Sequence, residues 1–141
     1  MSRQIHETQA DLDNEEIVKQ AIEKKGVVLH KLPMSYRMDY IVFRSGKAIS
    51  VVEVKSRTKG TLSTKHPLFM LSLSKWNAGI DYATKGLAFY LAGKFDDGVF
   101  LYKYSPNHDV DIRWYEGRKD RQDPDDQEPC VYVPMKLFRK L

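Results

Sequence analysis

The sequence predicts an α/β protein, an α+β mixed sheet with helices packed on its faces. Three observations predict it. Tyr36–Phe43 and Lys47–Lys55 are rich in β-branched and aromatic residues and flank a Ser45-Gly46 turn. Leu87–Ala92 and Val99–Tyr104 repeat that pattern around Asp96-Asp97-Gly98, a strong turn signal. Before each hairpin stands a stretch with apolar residues at helical spacing and a glycine at its end. The expected order is αβββαβ, with an additional C-terminal strand region.

The first ten or so residues are polar and carry no pattern. A helix is expected from about Asn14 to Lys25. Asp13 can cap it, with Glu16 three residues on as in a capping box, and Gly26 stops it. Its apolar residues are Ile17, Val18, Ala21 and Ile22. Val27–Leu32 is a short strand ended by Pro33. Residues 56–71 read as basic and irregular. A second helix starts with Ser72 or Ser74 as N-cap and runs to about Lys85, closed by Gly86. Val110–Tyr115 and Cys130–Val133 are further strands, and Pro134 opens a basic, amphipathic tail. One domain is expected over residues 1–141. Its core lies at about 13–105, an acidic loop at about 117–129, and a C-terminal strand and tail at 130–141.

At 141 residues and 16.4 kDa the chain suits one modest core. Its 42% hydrophobic and 30% charged content is that of a soluble globular protein. No apolar run approaches the roughly 20 residues of a membrane span, so no membrane partner is expected. Residues 1–6 lack the apolar stretch of a secretory signal. Cys130 is the only cysteine, which excludes an intramolecular disulfide and a cysteine-rich zinc site. A cytoplasmic location is the expectation. The net charge of +4 permits a polyanionic partner. Lys55, Arg57, Lys59, Lys65 and Lys75 follow one another with no acid among them. Alone they would read as a solvated loop; their position points to a surface that contacts phosphate.

That position is the end of the first hairpin. Side chains alternate along a strand, so Glu53 and Lys55 share a face with Lys47, Ile49 and Val51. Glu-x-Lys alone is weak: with 7 Glu and 15 Lys, chance supplies about one copy. A second copy at Glu23–Lys25 falls on the predicted helix, where i and i+2 diverge. Asp39 adds the context. Pairing around residues 45 and 46 places it roughly opposite residues 52 and 53, so Asp39 and Glu53 could approach one hard cation. Two carboxylates and a backbone carbonyl, that of Val54, suffice for Mg²⁺, which keeps several waters. Such a site can activate water and polarise a phosphate. Lys55 can orient that water or stabilise the transition state. The structural alternative is an ion pair of Asp39 with Arg37 or Lys55.

A helix, then Asp39, then Glu53-x-Lys55 on the next strand resembles the PD-(D/E)xK, or restriction-endonuclease-like, nuclease superfamily. The run Val51-Val52-Glu53-Val54-Lys55-Ser56-Arg57-Thr58-Lys59 is similar to that of archaeal Holliday-junction resolvases and their relatives. The resemblance covers about residues 13–92. It implies a Mg²⁺-dependent deoxyribonuclease, with Mn²⁺ able to substitute, that leaves 5′-phosphate and 3′-hydroxyl ends on DNA. It also implies a metal-binding glutamate in the first helix. Helical geometry puts Glu15 at the edge of the apolar face and Glu16 towards solvent, which favours Glu15. The family's proline before the aspartate is Met38 here. A polar residue in the helix after Glu-x-Lys is matched by Lys75, with Ser74 beside it, as nucleic-acid contacts. The alternatives are a structure-selective endonuclease of the junction-resolving type, which needs a homodimer, and a non-catalytic nucleic-acid-binding module. Size and a stand-alone site suit a phage or mobile-element gene, in DNA repair or recombination. Trp76 reads as core, and His6, His30, His66 and His108 show no metal-ligand spacing.

Overall fold

The computed structural model describes residues 8–56, 63–117 and 127–141. Arg57 and Lys59, both expected at the nucleic-acid surface, lie outside these residues, as does most of the expected acidic loop.

Helix α1 spans Gln9–Glu23 and begins five residues earlier than expected. Thr8, not Asp13, is the N-cap. Its side chain accepts from the Asp11 N–H, and the Asp11 carboxylate accepts from the Thr8 N–H. Two capping boxes were available, and the one that lengthens the helix is used. Asp13 instead accepts from the Gln9 amide at 2.8 Å. Glu15, Val18 and Ile22 form the buried face, whereas Ile17, expected to be apolar packing, is 50% exposed.

Strand β1 (Val28–Lys31) pairs antiparallel with β2 (Tyr40–Arg44). The expected strand from Tyr36 is shortened at its start. Met34–Tyr36 forms a 3-10 turn, and Arg37 takes a left-handed φ of 65°, which breaks the extended run. Strand β3 (Lys47–Ser56) returns antiparallel to β2 through Ser45 and Gly46, both at positive φ, as a tight hairpin turn requires. A register shift between Val42 and Phe43 brings Tyr40 opposite Val52. Asp39, one residue earlier, therefore sits beside Glu53.

The stretch expected to be irregular contains strand β4 (Leu68–Ser72). Helix α2 (Leu73–Thr84) follows, with Ser72 as N-cap accepting from the Lys75 N–H at 3.2 Å. Strands β5 (Ala88–Phe95), β6 (Gly98–Lys103), β7 (Asp111–Tyr115), β8 (Glu128–Pro134) and β9 (Arg139–Lys140) complete the chain. They form two sheets where one was expected. The larger has the order β1-β2-β3-β5-β6-β9 and is mixed, β3 and β5 being parallel. The smaller has the order β4-β8-β7.

The large sheet is covered on both faces. On one, Val18 and Ile22 of α1 pack with Leu29, Val42, Val52 and Ala92. On the other, Trp76 of α2 joins Val51, Phe89, Leu91 and Tyr102 with Phe69, Leu71, Val131 and Val133 of the small sheet. Each fully buried aliphatic or aromatic side chain contributes about 1.5–3 kcal/mol. Helix α2 can approach this closely because residue 79 is glycine: a Cβ there would lie 2.3 Å from the Phe89 ring. Alternation along β3 thus sends Val52 to the α1 face and Val51 and Glu53 to the α2 face. Among the described residues no helix is long and apolar enough to cross a membrane.

Candidate active site

Five elements bring charged side chains to the C-terminal end of β3. Asp39 comes from the residue before β2, Glu53 and Lys55 from β3, Lys75 from the first turn of α2, and Glu15 with Lys31 from α1 and β1. Met38, where the resembled family has proline, is buried in the core and fixes the backbone just before Asp39.

Asp39 is held on two sides. Its Oδ2 accepts from the Val54 N–H at 2.7 Å, and its own N–H donates to the Val52 carbonyl at 3.1 Å. Its Oδ1 lies 3.4 Å from the Lys31 amine. The structural alternative of a pair with Arg37 or Lys55 is therefore replaced by a contact with Lys31. Glu53 is buried, with 9% of its surface exposed. Burial first, and then the charge of the adjacent Asp39, push its carboxyl up to about 8, opposed by the Lys75 cation. The Lys75 amine stands 3.5 Å from Oε1 and 3.4 Å from Oε2.

Lys55 extends from the same strand face, and its amine donates to the Met70 carbonyl of β4 at 2.8 Å. Glu53, Lys55 and Lys75 line one pocket of about 380 Å³ with Ser72, Tyr115 and Glu128. Strand β4, which was not expected, is thus the wall that fixes the lysine. The signal was legible as the apolar run Leu68-Phe69-Met70-Leu71 inside the basic stretch.

Glu15 is the buried helical acid; Glu16 is exposed and accepts from Gln20 instead of capping the helix. The Lys31 amine pairs with the Glu15 carboxylate and also reaches Asp39, so Glu15 joins the site through a lysine. Among the described residues no three His, Cys, Asp or Glu side chains converge as a metal-holding group. Lys31, which no sequence pattern singles out, also lies 5.4 Å from the centre of the Tyr40 ring. The Tyr40 hydroxyl is pushed up to about 12 by burial and by Glu15, which keeps it protonated at neutral pH.

The remaining expected contacts are more distant. Lys65 is exposed on a 3-10 turn (Ser63–Lys65) and does not line the pocket beside Glu53. That turn is anchored by Ser63, whose N–H and hydroxyl both donate to Asp97. Ser74 lines a different cleft, with Ser35, Arg37 and Asn77, and its buried hydroxyl has no hydrogen-bond partner among the described residues. Trp76 is core, in edge contact with Phe89 and Tyr104.

A family model described as phage putative PDDEXK endonuclease matches residues 1–141. No curated protein matches the chain.

Proposed function

The chain belongs to the phage PDDEXK endonuclease family, and on that premise we propose that it is a metal-dependent deoxyribonuclease. It hydrolyses phosphodiester bonds of DNA to 5′-phosphate and 3′-hydroxyl ends. The observation that carries this reading is the pairing of Asp39 with Glu53 at the end of β3, beside Lys55.

The donor set fits a hard cation. Asp39 and Glu53 supply carboxylate oxygens, and burial together with the neighbouring Asp39 disfavours the ionised form of Glu53 without a cation. The N–H of Val54 points to the β2 side, towards Asp39. A strand residue directs its N–H and C=O to the same side, so the Val54 carbonyl can be the third ligand. An all-oxygen set with room for water suits Mg²⁺, and Mn²⁺ as its substitute. When bound, such a cation neutralises charge on the phosphate and lowers the pKa of a coordinated water.

The side chains divide the rest of the work. Asp39 is oriented by the Val54 N–H, which leaves Oδ1 to turn from Lys31 to the ligand position. The Lys55 amine is anchored at the Met70 carbonyl on the same strand face as Glu53, where a lysine can orient the attacking water or steady the pentavalent transition state. Lys75 balances Glu53 in the free protein and is placed to move to a phosphate oxygen when DNA arrives. Glu15 acts through Lys31 on the position of Asp39.

The test is cleavage of supercoiled, linear, single-stranded and branched DNA with Mg²⁺, Mn²⁺ or EDTA, with the product ends mapped by ligation. Cleavage with either metal, ligatable 5′-phosphates and silence in EDTA are expected. Cleavage that persists in EDTA would exclude the mechanism.

A further inference from the structure

The basic C-terminal tail plays no part in the site just described. It lines a groove of about 920 Å³ beside the C-terminal end of α1. Five cations from separate parts of the chain converge there: Lys25 after α1, Lys103 at the end of β6, and Lys136, Arg139 and Lys140 of the tail. All five are exposed. Among the described residues no Asp or Glu side chain lines the groove.

The tail is fixed in place. Phe138 is buried, with its ring 5.0 Å from Phe69 and 5.4 Å from Tyr102, and β9 pairs with β6. The Leu141 N–H donates to the Val99 carbonyl at 2.8 Å. Burying Phe138 turns its basic neighbours outward and sets them around the concavity. Like charges gathered this way raise a positive potential that a polyanion offsets.

We propose that this groove binds the phosphate backbone of a DNA segment a few nucleotides from the bond being cut. The proposal rests on the DNA substrate of the reading above and adds a second contact surface to it. Strands β6 and β9 stand two and three places from β3 in the sheet, about 10–14 Å at the usual spacing. Tyr90 and Leu101 of the groove pack with Val52 on the α1 face of the sheet, so the DNA backbone reaches the groove around the end of the sheet. The groove therefore serves grip and register, and it makes no contact with the reacting atoms.

The experiment compares wild type with the triple variant Lys103→Gln/Lys136→Gln/Arg139→Gln. Lys140 is left intact because its charge also acts on Asp97. Binding of labelled duplex DNA is followed by fluorescence anisotropy in EDTA over a series of salt concentrations. The variant should bind at least about tenfold more weakly, with a salt slope smaller by about two to three. Its melting temperature should be unchanged, the three residues being exposed. An unchanged affinity and slope would overturn the proposal, whatever the nuclease assays give. Loss of binding to phosphatidylserine vesicles with DNA binding intact would also overturn it, in favour of a membrane surface. A reduced slope in a protein that never cleaves DNA would leave the groove standing while removing the nuclease reading.

Discussion

The Asp39 carboxylate accepts a 2.7 Å hydrogen bond from the Val54 N–H. The aspartate is thereby fastened to the strand residue that separates Glu53 from Lys55, and three chemical groups are held in one frame. A hydrogen bond to an ionised acceptor is short and strong, and it stabilises the frame before any ligand arrives. Asp39→Asn keeps an acceptor oxygen and removes the charge. It should lower cleavage by about a hundredfold or more with little change in melting temperature. Asp39→Ala removes the bond as well and should cost about 1–2 kcal/mol of stability, read from denaturant unfolding.

Lys31 and Glu15 should be coupled. Lys31→Met takes away the amine that meets a carboxylate whose side chain is only 11% exposed. The expected cost is about 1–3 kcal/mol. Adding Glu15→Gln to Lys31→Met should recover part of that loss, because the charge that Lys31 balances is gone. Independent, additive losses in the double-mutant cycle would show that the pair does not act as a unit.

Glu53 sets a pH dependence whose sign is fixed. Its carboxyl stands at about 8 in the fold against 4.5 in a free chain, so the folded protein binds the extra proton between these values. The stabilisation is fully present below about pH 4 and is lost as pH rises through about 8. The melting temperature of metal-free wild type should therefore fall relative to that of Glu53→Gln from pH 5 to pH 8, at no more than about 1.4 kcal/mol per pH unit. Mg²⁺ or Mn²⁺ at pH 8 should raise the wild-type value and leave the variant's unmoved, because the ion takes the place of the proton.

Lys55 ties β3 to β4 through the Met70 carbonyl. Lys55→Met should abolish cleavage and cost about 1 kcal/mol of stability. Lys55→Arg should retain the tie without restoring cleavage, because a planar fork cannot place one donor where a point charge stood. Full activity in Lys55→Arg would remove the lysine from the chemistry.

Much of this was legible in the residues, and the exceptions have physical causes. The hairpin registered because Ser45-Gly46 is bounded by β-branched runs and because alternation holds from Val51 to Val54, beyond the irregularity at Ile49. Its exact register depended on the shift between Val42 and Phe43, which no residue announces. Glu15 was separable from Glu16 by helical angle alone, yet the helix start was missed because Thr8-x-x-Asp11 and Asp13-x-x-Glu16 offer the same cap. Strand β4 was hidden by its basic surroundings, and its partner β8 lies about sixty residues away. Lys31 could not be read at all: a lysine at a strand end is ordinarily solvated, and only the fold brings it between Glu15 and Asp39.

The central claim is that Asp39 and Glu53 together support metal-dependent cleavage. The most direct measurement is nicking of supercoiled DNA in Mg²⁺ by wild type, Asp39→Asn, Glu53→Gln and the double variant, each verified as folded. The account predicts that either single substitution removes nearly all activity and that the double variant is no worse than the singles, as for two ligands of one ion. Substantial nicking by Glu53→Gln or by the double variant would contradict it.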